Sequence, residues 1–135
     1  VADAVAEAEV LVAPQLRARG LTYAWEGAAP GLAVCADREK LQQILLNVLG
    51  NAVKFTHPRD GVPGRITVSC AVDAAEPGAP GRDAARDRVR IRVRDTGEGI
   101  APETLERIFE PFVQVDQRLT RRHEGVGLGL AISRD

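Results

Sequence analysis

Asn47, Asn51 and Lys54 are spaced i, i+4, i+7 within the stretch QILLNVLGNAVK, from Gln43 to Lys54. On a helix that spacing stacks them along one stripe, which Gln43 extends by a turn. Two carboxamide oxygens and one ammonium suit a hard divalent cation carrying a polyphosphate, because such cations take oxygen ligands. The plain alternative is a polar helix flank facing water, and this helix alone leaves the two readings level. A second constellation is Asp95 with Gly97 and Gly99 in DTGEGI. The two glycines let the chain turn sharply and lie close against a flat group. A third is Gly125, Gly127 and Gly129 in EGVGLGLAIS, a GxGxG run that leads into an apolar helical stretch. Bare backbone at a helix start can offer several N–H groups to phosphate oxygens.

The elements that must hold these residues alternate between helix and strand. Ala2 to Arg19 is rich in Ala, Glu and Leu and reads as a helix, with Pro14 a kink or break and Gly20 a terminator. Leu21 to Trp25 and Gly31 to Cys35 are short strand candidates separated by EGAAPG. Asp37 can cap the next helix, which should run to about Phe55 and stop before His57-Pro58. Its apolar face, Leu41, Ile44, Leu45, Val48, Leu49 and Ala52, is expected to be buried. Arg65 to Val72 alternates as a strand does, Asp73 to Asp87 is a loose Pro/Gly/Ala-rich connection, and Pro102 to Ile108 is a short helix.

Arg88 to Asp95, RVRIRVRD, is the cleanest strand pattern. Arg88, Arg90, Arg92 and Arg94 share one phase, and Val89, Ile91 and Val93 share the other. Asp95 continues the apolar phase, so its carboxylate should emerge on the core side where the strand ends. There it needs a donor, which a backbone turn or a ligand's exocyclic amine can supply. The arginine row reads as a solvated sheet face. No aromatics interleave it to stack on bases, and the whole chain has one Trp, one Tyr and three Phe.

Composition narrows the classes. The chain has 135 residues, enough for one core and too few for two ordinary domains. It is 44% hydrophobic and 27% charged, as soluble globular proteins are. A formal charge of −1 gives no electrostatic case for a nucleic-acid partner. No apolar run reaches the roughly 18 residues of a membrane span, and no signal peptide opens the chain. A cytoplasmic domain is expected, whose parent protein could still be membrane-anchored. Cys35 and Cys70 are isolated and are expected to be buried reduced thiols. The dinucleotide fingerprint, the P-loop pattern and the protein-kinase motif set are missing.

Taken together, these residues resemble the four boxes of sensor histidine kinases. Asn47-x-x-x-Asn51-Ala-x-Lys54-Phe55-Thr56 is similar to their N box and Asp95-x-Gly97-x-Gly99 to their first glycine box. Ile108-Phe109-Glu110-Pro111-Phe112 resembles the phenylalanine box, and Gly125-x-Gly127-x-Gly129-Leu130 the second glycine box. The resemblance implies a catalytic ATP-binding domain spanning residues 1–135, an α/β fold shared in outline with gyrase and chaperone ATPases. Its architecture would be a two-layer sandwich in which helices cover one face of a mixed sheet.

Carried over, the resemblance assigns Mg²⁺ to Asn51 with Asn47 beside it, and phosphate oxygens to Lys54. Asp95 would accept from the adenine amino group, with Gly97, Gly99 and Ile100 lining the base. Phe109 and Phe112 would anchor the start of a lid, Val113 to Glu124, from which Arg121 and Arg122 could reach the phosphates. Gly125, Gly127, Leu128, Gly129 and Leu130 would complete the nucleotide-binding set, with backbone N–H groups offered to phosphate oxygens. ATP-hydrolysing relatives of this fold place a water-activating glutamate one helical turn before the metal-binding asparagine. Here that position is Asn47, whose amide cannot take a proton, so transfer is expected rather than hydrolysis.

His57 and His123 do not sit in the family's phosphoacceptor pattern, so the acceptor histidine is expected on a separate dimerisation domain, with a response regulator downstream. The family's last sheet hairpin would follow Asp135, so the C-terminal part of the fold is expected to be truncated. A serine kinase of the same fold and a non-catalytic nucleotide-sensing module stay open.

Overall fold

Helix α1 spans Ala2–Ala18 in the computed structural model of the chain, which describes residues 1–73 and 87–105. Val5, Ala8, Val12 and Leu16 recur at helical period and are all buried, so one stripe of α1 faces the core. Pro14 does not break the helix. The carbonyl it cannot bond belongs to Val10, which is 71% exposed, so water can take that place. The C-terminus closes as a Schellman motif: Gly20 N donates to Arg17 O at 3.1 Å and Leu21 N to Leu16 O at 3.0 Å. Gly20 takes φ +63°, which glycine adopts without cost.

Three strands follow the expected segments closely: β1 at Thr22–Trp25, β2 at Arg65–Asp73 and β3 at Arg88–Asp95. They form a mixed sheet in the order β1-β2-β3, parallel between the first pair and antiparallel between the second. Between β1 and β2 runs helix α2, Arg38–Phe55, which packs on α1 and reaches β3. Leu45, Leu49, Ala52 and Val53 of α2 meet Ile66 and Val68 of β2 and the α1 stripe in a single core. Burying each large side chain there contributes about 1.5–3 kcal/mol. The two helices therefore lie on the face of the sheet that carries Tyr23, Trp25, Ile91 and Val93, which pack partly buried against the same core. A four-residue helix, α3, spans Pro102–Leu105, and the expected remainder to Ile108 lies outside the described residues. Among the described residues no helix is long and apolar enough to cross a membrane.

Three expectations are corrected. Gly31 to Cys35 is not a strand: it pairs with none of the described strands, Gly31 takes φ +72°, and four of its five residues are exposed. Its apolar letters lack a ladder, and an unpaired strand has no stability of its own. Ile44 is 36% exposed rather than buried, because the stripe that reaches the sheet centres on Leu45, Leu49 and Val53. Cys35 and Cys70 are free thiols as expected, yet neither is buried. Cys35 lies on that exposed segment, and Cys70 sits toward the far end of β2, beyond the best-covered strand positions at Ile66 and Val68.

Candidate functional site

Helix α2 carries the asparagine stripe on a well-fixed rod. Asp37 is its N-cap, with Oδ1 accepting from Glu39 N at 2.9 Å and Lys40 N at 3.1 Å, which satisfies two of the orphan donors of the first turn. Asn47, Asn51 and Lys54 are half-buried and Gln43 is exposed, so the stripe runs along the margin of the core as the spacing predicted. Thr56 leaves the helix in extended conformation, two residues before Pro58. The Lys54 ammonium rests over the Phe55 ring, 5.1 Å from its centroid, a cation–π contact.

The β3 end meets the end of this helix. Asp95 pairs across the ladder with Ile66, a residue with no exposed surface, which fixes its phase on the helix-covered side. Asp95 is nevertheless exposed among the described residues. Its Oδ1 accepts from Gly97 N at 2.8 Å, so the backbone turn supplies one donor. Thr96 locks the strand end to β2: its N donates to Arg65 O at 3.0 Å, and its Oγ1 accepts from Arg65 N at 2.9 Å. Gly97 passes so close to α2 that a Cβ there would fall 2.5 Å from the Phe55 carbonyl oxygen. Gly99 has open space around it and φ +76°, so glycine serves conformation there and close approach at Gly97. Ile100 follows, 42% exposed.

Asn51, Lys54 and Phe55 on one side and Asp95, Gly97 and Gly99 on the other are thus brought to adjoining ends of α2 and β3. A cleft of about 570 Å³ between α1 and α2, lined by Glu7, Arg38, Glu39, Gln42 and Leu46, runs up to Gln43 and Asn47. It reaches the N-terminal half of the stripe and stops short of Lys54 and Asp95. Among the described residues no group of three His, Cys, Asp or Glu could hold a metal ion. A cation here would therefore rely on amide oxygens and on the ligand's own phosphates. Phe109, Phe112, Arg121, Arg122, Gly125, Gly127, Leu128, Gly129 and Leu130 lie outside the described residues.

Two participants were not legible beforehand. Phe55, whose ring lies under Lys54, stood in the N box without a role. Arg19, whose guanidinium bonds the Lys54 carbonyl at 2.9 Å, sits 35 positions away in sequence. The one available signal for it was Pro58, which removes the N–H that would otherwise bond that carbonyl.

Residues 36–135 match the family described as histidine kinase-, DNA gyrase B- and HSP90-like ATPase. An uncharacterised sensor-like histidine kinase of Rhizobium meliloti (strain 1021) is 37% identical over 132 residues, covering 98% of this chain and 22% of the relative. The chain thus spans about a fifth of that protein. Among solved structures, the nucleotide-free catalytic domain of histidine kinase ThkA superposes with a TM-score of 0.74 at 28% identity, covering 99% of this chain and 74% of the other. Full-length ShkA in complex with AMPPNP matches with a TM-score of 0.70 at 38% identity, covering 96% of this chain and 23% of that one. The alternation of α1, β1, α2 and the mixed sheet is the frame these proteins share, and the chain belongs to the histidine kinase-, DNA gyrase B- and HSP90-like ATPase family, as the ATP-binding domain of a sensor histidine kinase.

Proposed function

We propose that this domain binds Mg·ATP between the α2 stripe and the Asp95 loop and donates the γ-phosphoryl group to a histidine on a separate dimerisation domain. The observation that carries this reading is the contact of Gly97 with the Phe55 carbonyl, which brings the end of α2 that carries Asn51 and Lys54 against the end of β3 that carries Asp95. The donor set fits the metal. Asn47 and Asn51 offer neutral oxygens on one half-buried stripe, and magnesium bound mainly by phosphates and water asks no more of a protein. When bound, the ion neutralises charge on the phosphates.

The chain's own residues do the rest. Asn51 orients the metal-bearing phosphates with Asn47 beside it, and Lys54 leaves the Phe55 ring to meet phosphate oxygens. Asp95 keeps one carboxylate oxygen on Gly97 N and accepts the adenine amino group with the other. The bond from γ-phosphorus to the bridging oxygen breaks, a bond to the imidazole nitrogen forms, and ADP leaves. Positioning and charge stabilisation suffice for this transfer. Asn47 offers water no base, so the phosphoryl group is kept for the acceptor. A response regulator would then receive it from the phosphohistidine.

The test mixes the domain with a matching acceptor domain and γ-labelled ATP. Acid-labile, base-stable label on the acceptor is the expected result. An acid-stable product would point to a hydroxyl acceptor, and no label above a no-domain control would overturn the transfer reading.

A further inference from the structure

The carbonyl of Lys54 is an acceptor that its own helix cannot satisfy. In a continuing helix the N–H four residues on would bond it, but that residue is Pro58, which has none. The Arg19 guanidinium takes the place: Nη1 donates to Lys54 O at 2.9 Å. A cation there also meets the negative end of the α2 dipole. Arg19 is held ready for this role, because it is the C-cap of α1 and its own N–H bonds Gln15 O at 3.1 Å within the Schellman closure.

The next carbonyl along, that of Phe55, is approached closely by Gly97. Docking of α1 on α2 does not depend on Arg19. The buried stripe of Val5, Ala8, Val12 and Leu16 supplies it, and the exposed Arg38–Glu7 pair adds a tie at the opposite end of α2. Arg19's bond is exposed, so its share of global stability is no more than one net hydrogen bond, and it acts by fixing one peptide unit. That unit carries the cation of the proposed phosphate site.

We propose that Arg19 is a positioning residue for polyphosphate recognition: it holds the last turn of α2 so that the Lys54 ammonium is presented to the phosphates of the bound nucleotide. The proposal rests on the Mg·ATP reading above. It assigns Arg19 no contact with the nucleotide, so its effect must pass through Lys54.

Calorimetry on the 135-residue chain tests it, with Mg·ATP and with adenosine as probes. The variants are Arg19→Ala, Arg19→Lys, Lys54→Ala and the double alanine variant, each with a thermal melt. Arg19→Ala should weaken Mg·ATP about five-fold, the scale of one net hydrogen bond, lower the melt by no more than a few degrees and leave adenosine nearly unchanged. Arg19→Lys should recover most of the loss, and in the Lys54→Ala background Arg19→Ala should cost nothing further. The proposal is overturned if Lys54→Ala weakens Mg·ATP while Arg19→Ala does not. It is equally overturned if Arg19→Ala weakens both probes alike, adds in full to Lys54→Ala, or fails to fold. Failure of the unaltered chain to bind Mg·ATP, or indifference of that binding to Lys54→Ala, would instead remove the site reading and this proposal with it.

Discussion

Gly97 lies against the carbonyl of Phe55, so closely that a methyl group at position 97 would stand 2.5 Å from that oxygen and 3.0 Å from its carbon. The Phe55 atoms are backbone at the end of α2 and cannot swing aside, and the Asp95 carboxylate, whose Oδ1 would lie 2.8 Å from the new methyl, would have to turn away. Gly97→Ala is therefore expected to cost about 1–3 kcal/mol, the usual range for overpacking. The same variant should displace the Asp95 carboxylate and its loop, and weaken adenosine as well as Mg·ATP, because Asp95 is the proposed acceptor for the base. Urea unfolding and calorimetry on one preparation check both parts. Unchanged stability would mean that the ends of α2 and β3 do not approach as described.

Asp95 separates two uses of one carboxylate. Asp95→Asn keeps an oxygen able to accept from Gly97 N, so the turn and the fold should survive. It also puts an NH₂ group where the proposed adenine amine would donate. Mg·ATP binding is expected to fall at least about tenfold, in line with a lost hydrogen bond to a charged group and an opposed donor. A fall in binding without a fall in melting temperature supports the assignment. Binding that is indifferent to this change would take Asp95 out of the base pocket.

Much of this arrangement was legible because local rules and tertiary demands agree. RVRIRVRD has period two throughout, and β3 occupies Arg88–Asp95, the span the alternation predicted. Asp37 and Pro58 bracket α2 with a cap and a stop, and the helix runs Arg38–Phe55 between them. Where pairing decides, the pattern misleads. Gly31 to Cys35 has strand-like letters but no ladder, and Ile44 has the right residue type on a side of α2 turned from the sheet. Contacts across long separations leave no local trace. The bond from Arg19 to Lys54 and the approach of Gly97 to Phe55 depend on how α1, α2 and β3 converge, which no window of neighbouring residues encodes.

Thr56 is fully buried, and its hydroxyl has no hydrogen-bond partner among the described residues. Its methyl group is the useful part: a Cβ at Gly64 would fall 2.5 Å from Thr56 Cγ2, so the two residues pack closely. Thr56→Val keeps the shape and removes an orphaned polar atom, and should be neutral or stabilising by up to about 1 kcal/mol. Thr56→Ser keeps the hydroxyl and deletes the methyl, and should cost roughly 1 kcal/mol. Chemical denaturation of the pair decides it. The opposite ranking would show that the hydroxyl has a partner that matters.

The buried hydroxyl of Tyr23, on the core side of β1 opposite Ile66, likewise has no hydrogen-bond partner among the described residues. Burial first, and the Glu9 charge second, raise its pKa from 10.0 to about 12. Folding therefore favours the neutral phenol, a contribution fully present below pH 10. Between pH 10 and about 12 the unfolded chain has released a proton that the folded chain keeps, so stability falls as pH rises. Tyr23→Phe should abolish this component and lose little or nothing at neutral pH. Melts of both proteins at neutral pH and in that alkaline window provide the comparison. A parallel alkaline decline in the two would exclude Tyr23 as its source.

Asn47 tests why the phosphoryl group should reach an acceptor rather than water. It stands one turn before Asn51 on the same half-buried stripe, at the margin of a cleft that contains Glu7 and Glu39. An amide there can hold a ligand but cannot remove a proton from water, whereas a carboxylate can. Asn47→Glu is expected to raise phosphate release from Mg·ATP roughly tenfold or more over the unaltered chain. Transfer to an added acceptor domain should fall in step, because both routes draw on the same γ-phosphoryl group. Asn47→Gln serves as the control, since it lengthens the side chain without adding a base and should not raise hydrolysis. If the glutamate variant still binds Mg·ATP yet releases phosphate no faster, then position 47 does not face the attacking water, and the preference for transfer must come from elsewhere in the site.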